Sequence, residues 1–133
     1  MRPRAMRVLL VQDSTGHSTG YRVVARGLRD AGIEVILGGA VLPRQIAWLA
    51  VQEAPDAIGY RIMDAAPAIL VERLVEELRR LELDDLPLVV GGIVADEDKA
   101  RLAGLGVAAV FEPGATLESI ADFFRGLARP ALR

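Results

Sequence analysis

The sequence predicts an α/β fold, a doubly wound parallel sheet of five strands with helices on both faces. Three observations predict it. Short apolar runs alternate five times with longer amphipathic stretches. Each short run is nearly continuous in Val, Ile, Leu and Ala instead of alternating with polar residues, the pattern of parallel strands buried on both faces. The chain has 133 residues, 52% of them hydrophobic and 26% charged, enough for one domain with its own core and too apolar for disorder.

The strand candidates are Arg7–Val11, Glu34–Leu37, Ala57–Tyr60, Leu88–Val90 and Ala108–Phe111. Between them lie helical patterns. Thr19–Ala31 sets Val23, Val24, Gly27 and Leu28 on one side against Arg22, Arg26, Arg29 and Asp30 on the other. Pro43–Glu53 opens on a proline at the first turn, where the missing N–H costs nothing. Pro67–Leu81 carries Ile69, Leu70, Leu74, Leu78 and Leu81 at helical spacing, with Glu72, Arg73, Glu76, Glu77, Arg79 and Arg80 outside. Asp96–Ala103 and Leu117–Ala128 complete the set, with Asp96 and Thr116 as expected caps. Gly32, Gly104 and Gly106 stand where helices should stop. Right-handed crossovers then cover both sheet faces, and five strands in so compact a chain favour the flavodoxin-like order 2-1-3-4-5 over a Rossmann order. The chain is expected to be a single domain over 1–133, with a core at about 7–127 and tails at Met1–Ala5 and Arg129–Arg133.

Composition excludes several functions. A net charge of −2 offers no basic stripe for nucleic acid. There are no cysteines, so disulfides, zinc–thiolate sites and cysteine nucleophiles are excluded. The basic start Met1–Arg7 is followed only by the short apolar run Val8–Val11, which is no signal peptide, and no segment approaches the ~20 apolar residues that span a bilayer. The expectation is a soluble cytoplasmic domain without nucleic acid or membrane partners.

Open α/β sheets bind ligands beyond the carboxyl ends of their strands. The loops to read are therefore Gln12–Gly20, Arg61–Ala66, Gly91–Asp96 and Glu112–Thr116. The first is long for a βα loop and holds the chain's one histidine, His17. Gly16 and Gly20 permit close backbone approach, and Gly91-Gly92 leaves room for a flat group at the sheet edge. The phosphate-cradling patterns G-x-G-x-x-G and G-x-x-x-x-G-K-[ST] are absent. His17 itself reads either as a solvated or helix-capping residue or as a metal ligand. One histidine without cysteine cannot build a complete transition-metal site, but it can give one axial ligand to a metal that a cofactor already holds.

Thr15-x-His17-x-x-Gly20 resembles the D-x-H-x-x-G motif of cobalamin-binding domains, in which the histidine replaces the cofactor's own lower base on cobalt. Val8–Gly20 with the following "YRVVARGLRDAGIEVI" resembles the small subunit, or C-terminal domain, of acyl-CoA mutases of the methylmalonyl-CoA and 2-hydroxyisobutyryl-CoA type. "PLVVGGIVADEDKARLAGLGVAAVFEPGAT" is similar to their fourth and fifth units, including Gly91-Gly92 and Pro113-Gly114. The likeness runs from about Arg7 to Leu127. It implies that the nucleotide tail of cobalamin enters a cleft between the first helix and the sheet edge, and that His17 coordinates cobalt from below. It implies cofactor contacts at Asp13, Ser14, Thr15, Gly16, His17, Ser18, Thr19 and Gly20, at Arg61, Ile62 and Met63, at Gly91 and Gly92, and at Glu112, Pro113 and Gly114.

Two positions depart from the family. The aspartate two residues before the histidine is Thr15 here, whose hydroxyl can accept a bond from the imidazole but brings no charge; Asp13 is the nearby carboxylate. The S-x-L after the third strand is Arg61-Ile62-Met63, and Arg61 can pair with the cofactor phosphate, turn toward a partner or fill the pocket. The resemblance implies a cobalamin-binding subunit of an adenosylcobalamin-dependent acyl-CoA mutase. Cobalt–carbon homolysis in the cofactor would start a carbon-skeleton rearrangement on a separate large subunit that binds the acyl-CoA, and this chain would be inert alone. The alternative is a non-catalytic cobalamin carrier or sensor. A phosphoacceptor receiver needs an aspartate where Tyr60-Arg61 stands. A flavin site lacks stacking aromatics, because Trp48 and Phe123-Phe124 lie in helices. The carboxylates Glu72, Glu76, Glu77, Asp84 and Asp85 read as a solvated helix face, and Asp96, Glu97 and Asp98 as an acidic first turn.

Overall fold

The computed structural model describes residues 4–127. Five strands, β1 (Arg7–Gln12), β2 (Glu34–Ala40), β3 (Ala57–Arg61), β4 (Leu88–Gly91) and β5 (Ala109–Phe111), alternate with α1 (Ser18–Asp30), α2 (Pro43–Glu53), α3 (Pro67–Arg80), α4 (Asp96–Gly104) and α5 (Leu117–Gly126). All neighbouring strands pair in parallel, and their order is β2-β1-β3-β4-β5, as the strand count and compact length suggest.

Side-chain alternation along the strands splits the core in two. Leu9, Val11, Ile58, Tyr60 and Val90 face α2 and α3, where they meet Ile46, Val71 and Leu74. Val8, Leu10, Ala57 and Val89 face α1 and α5, where they meet Tyr21, Leu28 and Phe124. Both faces of the sheet are covered, so the strands read as continuous apolar runs and not as alternating ones.

Several details differ from the sequence reading, each for a local reason. β2 runs on to Ala40 because a one-residue irregularity opposite Leu10/Val11 skips Gly38 and lets pairing resume at Gly39, where φ is +78°. α1 begins at Ser18, so the first loop has the ordinary length of Asp13–His17; Ser18, Thr19 and Gly20 form its first turn. α4 is preceded by Ala95 in an extended conformation, and Asp96 is its first helical residue instead of its cap. Thr116 does cap α5, its hydroxyl accepting from the Ser119 N–H at 3.0 Å. On α3 the buried stripe is Ala68, Val71, Leu74 and Leu78, while Ile69 is half exposed. The expected stripe was thus misplaced at its start, because Ile69-Leu70-Val71 offers apolar residues on more than one face.

Arg4, expected in a tail, is tied down. Its guanidinium forms two bonds to the buried Asp56 carboxylate, at 2.7 and 2.5 Å, and the Arg7 N–H donates to the same group at 2.8 Å. The rest of that tail and Arg129–Arg133 lie largely outside the described residues, as does Ala128 at the expected end of α5. No described helix is long and apolar enough to cross a membrane.

The two tyrosines illustrate how a buried hydroxyl is handled. Tyr21 donates to the Leu10 carbonyl at 2.6 Å and accepts from the Gly39 N–H at 3.0 Å, binding α1 to β1 and β2. The Tyr60 hydroxyl is buried without a hydrogen-bond partner among the described residues. Burial, reinforced by the nearby Asp13 charge, pushes its pKa up to about 12. Two consequences are testable. Tyr60→Phe should leave stability unchanged or raise it in urea unfolding, because no protein bond is lost with the hydroxyl. The wild type should lose up to about 3 kcal/mol as pH rises from about 10 to about 12, where the unfolded phenol ionises and the folded one does not; in Tyr60→Phe that loss should shrink.

Candidate functional site

The carboxyl ends of β1 and β3 are adjacent, and Asp13, one residue past β1, joins their loops. Its Oδ1 accepts from the Met63 N–H and its Oδ2 from those of Asp64 and Ala65, all at 2.9 Å. The Asp13 N–H in turn donates to the Arg61 carbonyl at 3.1 Å. Asp13 is therefore occupied with the backbone of the β3–α3 loop and does not serve His17.

The carboxylate that serves His17 is Asp64, which the sequence reading missed. His17 Nε2 lies 3.2 Å from Asp64 Oδ1, and the Ser14 hydroxyl donates to Asp64 Oδ2. These bonds, the serine's foremost, hold the Asp64 carboxyl below its usual range. His17 stands at the position preceding α1, but its side chain makes no capping bond and is about half exposed. Thr15 points no hydroxyl bond toward the ring: the contact it makes is its carbonyl, which accepts from Ser18 Oγ at 2.7 Å.

Beside this polar loop is an apolar cavity of about 350 Å³ on the α1/α5 face of the sheet. Leu10, Gly59, Val89 and Gly91 contribute from the strands, and Gly20, Val23 and Val24 from α1. Leu117, Ile120 and Phe124 contribute from α5, and Glu112, Pro113 and Gly114 from the loop between β5 and α5. A Cβ on Gly91 would meet nothing closer than the Phe111 carbonyl at 3.8 Å, so the glycine leaves open a space that any side chain would enter. Gly92 has another function. Its φ is +144°, and a Cβ there would lie 2.1 Å from the Ile62 carbonyl oxygen. It lets the loops after β3 and β4 pass at close range. Val23 and Leu117, conspicuous as exposed apolar residues, form part of this lining.

Of the residues singled out in the sequence, Gly20, Arg61, Met63, Gly91, Gly92, Glu112, Pro113 and Gly114 come together around the cavity. Asp13, Ser14, Thr15, Gly16, His17, Ser18 and Thr19 form the adjoining polar loop and first helical turn. Ile62 is buried on the opposite face, in the α2/α3 core. The sequence reading missed Gly59, the α1 and α5 wall residues and Asp64. Helical spacing set Val23 and Val24 on one side of the first helix, and nothing local distinguishes a core position from a cavity wall.

An apolar cavity at the carboxyl ends of a doubly wound sheet, with polar groups gathered at one side, defines a small-molecule-binding α/β domain. Residues 8–121 match the B12 binding domain family, and the chain belongs to it. It is 39% identical over 122 residues to the pivalyl-CoA mutase small subunit of Xanthobacter autotrophicus, covering 90% of this chain and 81% of that one. It is 34% identical over 124 residues to the 2-hydroxyisobutanoyl-CoA mutase small subunit of Aquincola tertiaricarbonis, covering 92% and 91%. The methylmalonyl-CoA mutase of Escherichia coli is 35% identical over 123 residues, but this chain spans only 17% of its length. Among solved structures, a cobalamin-binding protein from Desulfitobacterium hafniense has a TM-score of 0.73 at 19% identity, covering 94% of this chain and 60% of that one. Vibrio cholerae chemotaxis protein CheY4 scores 0.69, also at 19% identity, covering 93% and 99%. At such identities these two likenesses speak to the fold alone.

The Asp13 bridge and the Asp64 cluster can each be tested. Asp13→Ala leaves three backbone N–H groups without their acceptor and should cost about 2–3 kcal/mol in urea unfolding, with Asp13→Asn costing less. Ser14→Ala should raise the Asp64 carboxyl toward its ordinary value, read from the carbon-13 shift of that carboxyl during an acid titration, and His17→Ala should raise it as well.

Proposed function

We propose that this chain is the cobalamin-binding subunit of an adenosylcobalamin-dependent acyl-CoA mutase, with His17 as the lower axial ligand to cobalt. The observation that carries the proposal is the glycine-floored apolar cavity beside the His17 loop. A flat, weakly polar heterocycle such as the base of the nucleotide tail suits walls made of Val23, Val24, Leu117 and Ile120, and the missing Cβ of Gly91 adds depth. The residues present therefore fit the group. Among the described residues no cluster of three or more histidines and carboxylates could hold a bare metal ion, so the chain offers one ring nitrogen to a metal that arrives already held.

When bound, the cofactor supplies the radical chemistry of a carbon-skeleton rearrangement. This chain's own residues bind and orient. The cavity excludes water from the tail, Asp13 fixes the two loops, and Asp64 supplies beside His17 the charge that Thr15 lacks. His17 would hold the metal through one ring nitrogen, beside the Asp64 carboxylate that its Nε2 meets at 3.2 Å. The two relatives named as small subunits, matched over most of their length, support a division of labour in which a separate large subunit binds the acyl-CoA. The match to only 17% of the Escherichia coli mutase agrees, because it leaves substrate binding to residues outside this sequence. The soluble, cytoplasmic setting expected from composition belongs to the same proposal.

The test is an absorption spectrum of the purified protein after incubation with adenosylcobalamin or hydroxocobalamin and removal of free cofactor, beside His17→Ala. Retained cofactor whose spectrum changes in the variant is the expected result. Retention indifferent to the variant would remove His17 from the metal and favour the carrier or sensor alternative. No retention at micromolar protein would overturn the cobalamin reading for this chain.

A further inference from the structure

The cavity is apolar almost throughout, yet two charged side chains, Arg61 and Glu112, stand in its lining. Their circumstances differ. Glu112 is neutralised by Lys99, whose ammonium lies 2.5 Å from its carboxylate. Arg61 has no carboxylate within ion-pair distance among the described residues. Its Nη1 donates to the His17 carbonyl at 2.7 Å, which leaves most of its five N–H donors unused. The guanidinium lies against the first turn of α1, where a Cβ on Gly20 would come within 2.2 Å of Nη2 and 2.8 Å of Cζ. Glycine at 20 therefore keeps the place that this cation occupies. No acidic residue in the first turn of α1 offsets the charge.

A cation without a counter-charge beside an apolar cavity calls for an anion at the cavity mouth. Resting on the cobalamin reading above, we propose that Arg61 binds the phosphodiester of the cofactor's nucleotide tail. The tail pairs an apolar base with a singly charged phosphodiester that joins it to the rest of the cofactor. The base suits the cavity interior, whereas the phosphodiester cannot follow it there without an opposite charge and stays at the mouth. Among the described residues that line the cavity only Arg61 is cationic, and its planar fork matches two phosphate oxygens. Because Nη1 holds the His17 carbonyl, one guanidinium links the bound anion to the backbone of the candidate cobalt ligand. Seating the tail thereby steadies the loop that carries His17.

The experiment is equilibrium dialysis of the wild type, Arg61→Met, Arg61→Lys and Arg61→Ser against hydroxocobalamin and against cobinamide, which lacks both phosphate and base. Thermal unfolding confirms that each variant folds. Arg61→Met should lose about ten- to hundredfold in affinity for cobalamin with affinity for cobinamide unchanged, and Arg61→Lys should recover part of the loss. Added salt should weaken cobalamin binding in the wild type and in Arg61→Lys but not in Arg61→Met. Equal losses for cobalamin and cobinamide would overturn the proposal and reduce Arg61 to a tether for His17. Arg61→Ser or Arg61→Met binding cobalamin as tightly as the wild type, or more tightly, would overturn it by showing an obstruction, with the cobalamin reading intact. Retention of neither corrinoid by the wild type or any variant would overturn both readings. Should Arg61→Met fail to fold, the lysine variant decides: a severalfold loss confined to cobalamin supports the phosphate contact, and unchanged affinity overturns it.

Discussion

The carboxylate of Asp13 determines the geometry of the whole ligand-facing edge. It lies where the chain leaves β1, and its two oxygens accept three successive backbone N–H groups after β3. Strands β1 and β3 are neighbours in the sheet although β2 separates them in sequence, so this one side chain closes the seam at the switch in strand order. The arrangement around His17 follows from that closure. The Met63–Ala65 backbone is held, which presents the Asp64 side chain to Ser14 and His17. The same seam places Arg61 under the start of α1. A charged acceptor shared among three amides is the strong kind of hydrogen bond.

The apolar half of the site depends on absence of side chains. Gly91 leaves space that a Cβ atom would enter, while Gly27 lets α5 approach α1 so closely that a Cβ there would meet Leu117 at 2.9 Å. Both helices contribute walls to the cavity, Val23 and Val24 from α1 and Leu117, Ile120 and Phe124 from α5. The resulting chamber is apolar on the inside, with the Arg61 guanidinium and the Glu112 carboxylate in its lining and the Ser14 and Ser18 hydroxyls and the His17 imidazole beside it. Such an arrangement suits a ligand that is itself divided into an apolar end and a polar, metal-bearing body.

The elements were legible because the signals for them are local. Five apolar runs, Pro43 and Pro67 at helix starts and Gly32 and Gly106 at helix exits act within a few residues of themselves, and the expected elements match those observed closely. The errors also have local causes. Ser18 resembles a loop residue by composition yet opens α1, one residue before the expected start at Thr19, because packing of Tyr21, Ala25 and Leu28 outweighs its weak helix preference. Ile69 fits the apolar stripe by spacing yet is half exposed, because a run of three apolar residues does not reveal which of them faces the sheet.

The sequence by itself determined the fold class, the strand order through the count and spacing of units, the family and the loops where a ligand must meet the chain. It also marked His17, and the substitutions at Thr15 and Arg61, as the places to look. Only the tertiary structure decided which groups meet. Asp64 reaches His17 across 47 residues, Arg61 reaches the His17 carbonyl across 44, and Asp13 reaches the amides of the next loop across 50 to 52. The cavity wall on α5 comes from still further along the chain. Periodicity and capping act over a turn or two of helix, so they show in the order of residues. Contacts of this range arise only when crossovers bring strand ends to one edge, and a reading along the chain contains no distance between those ends.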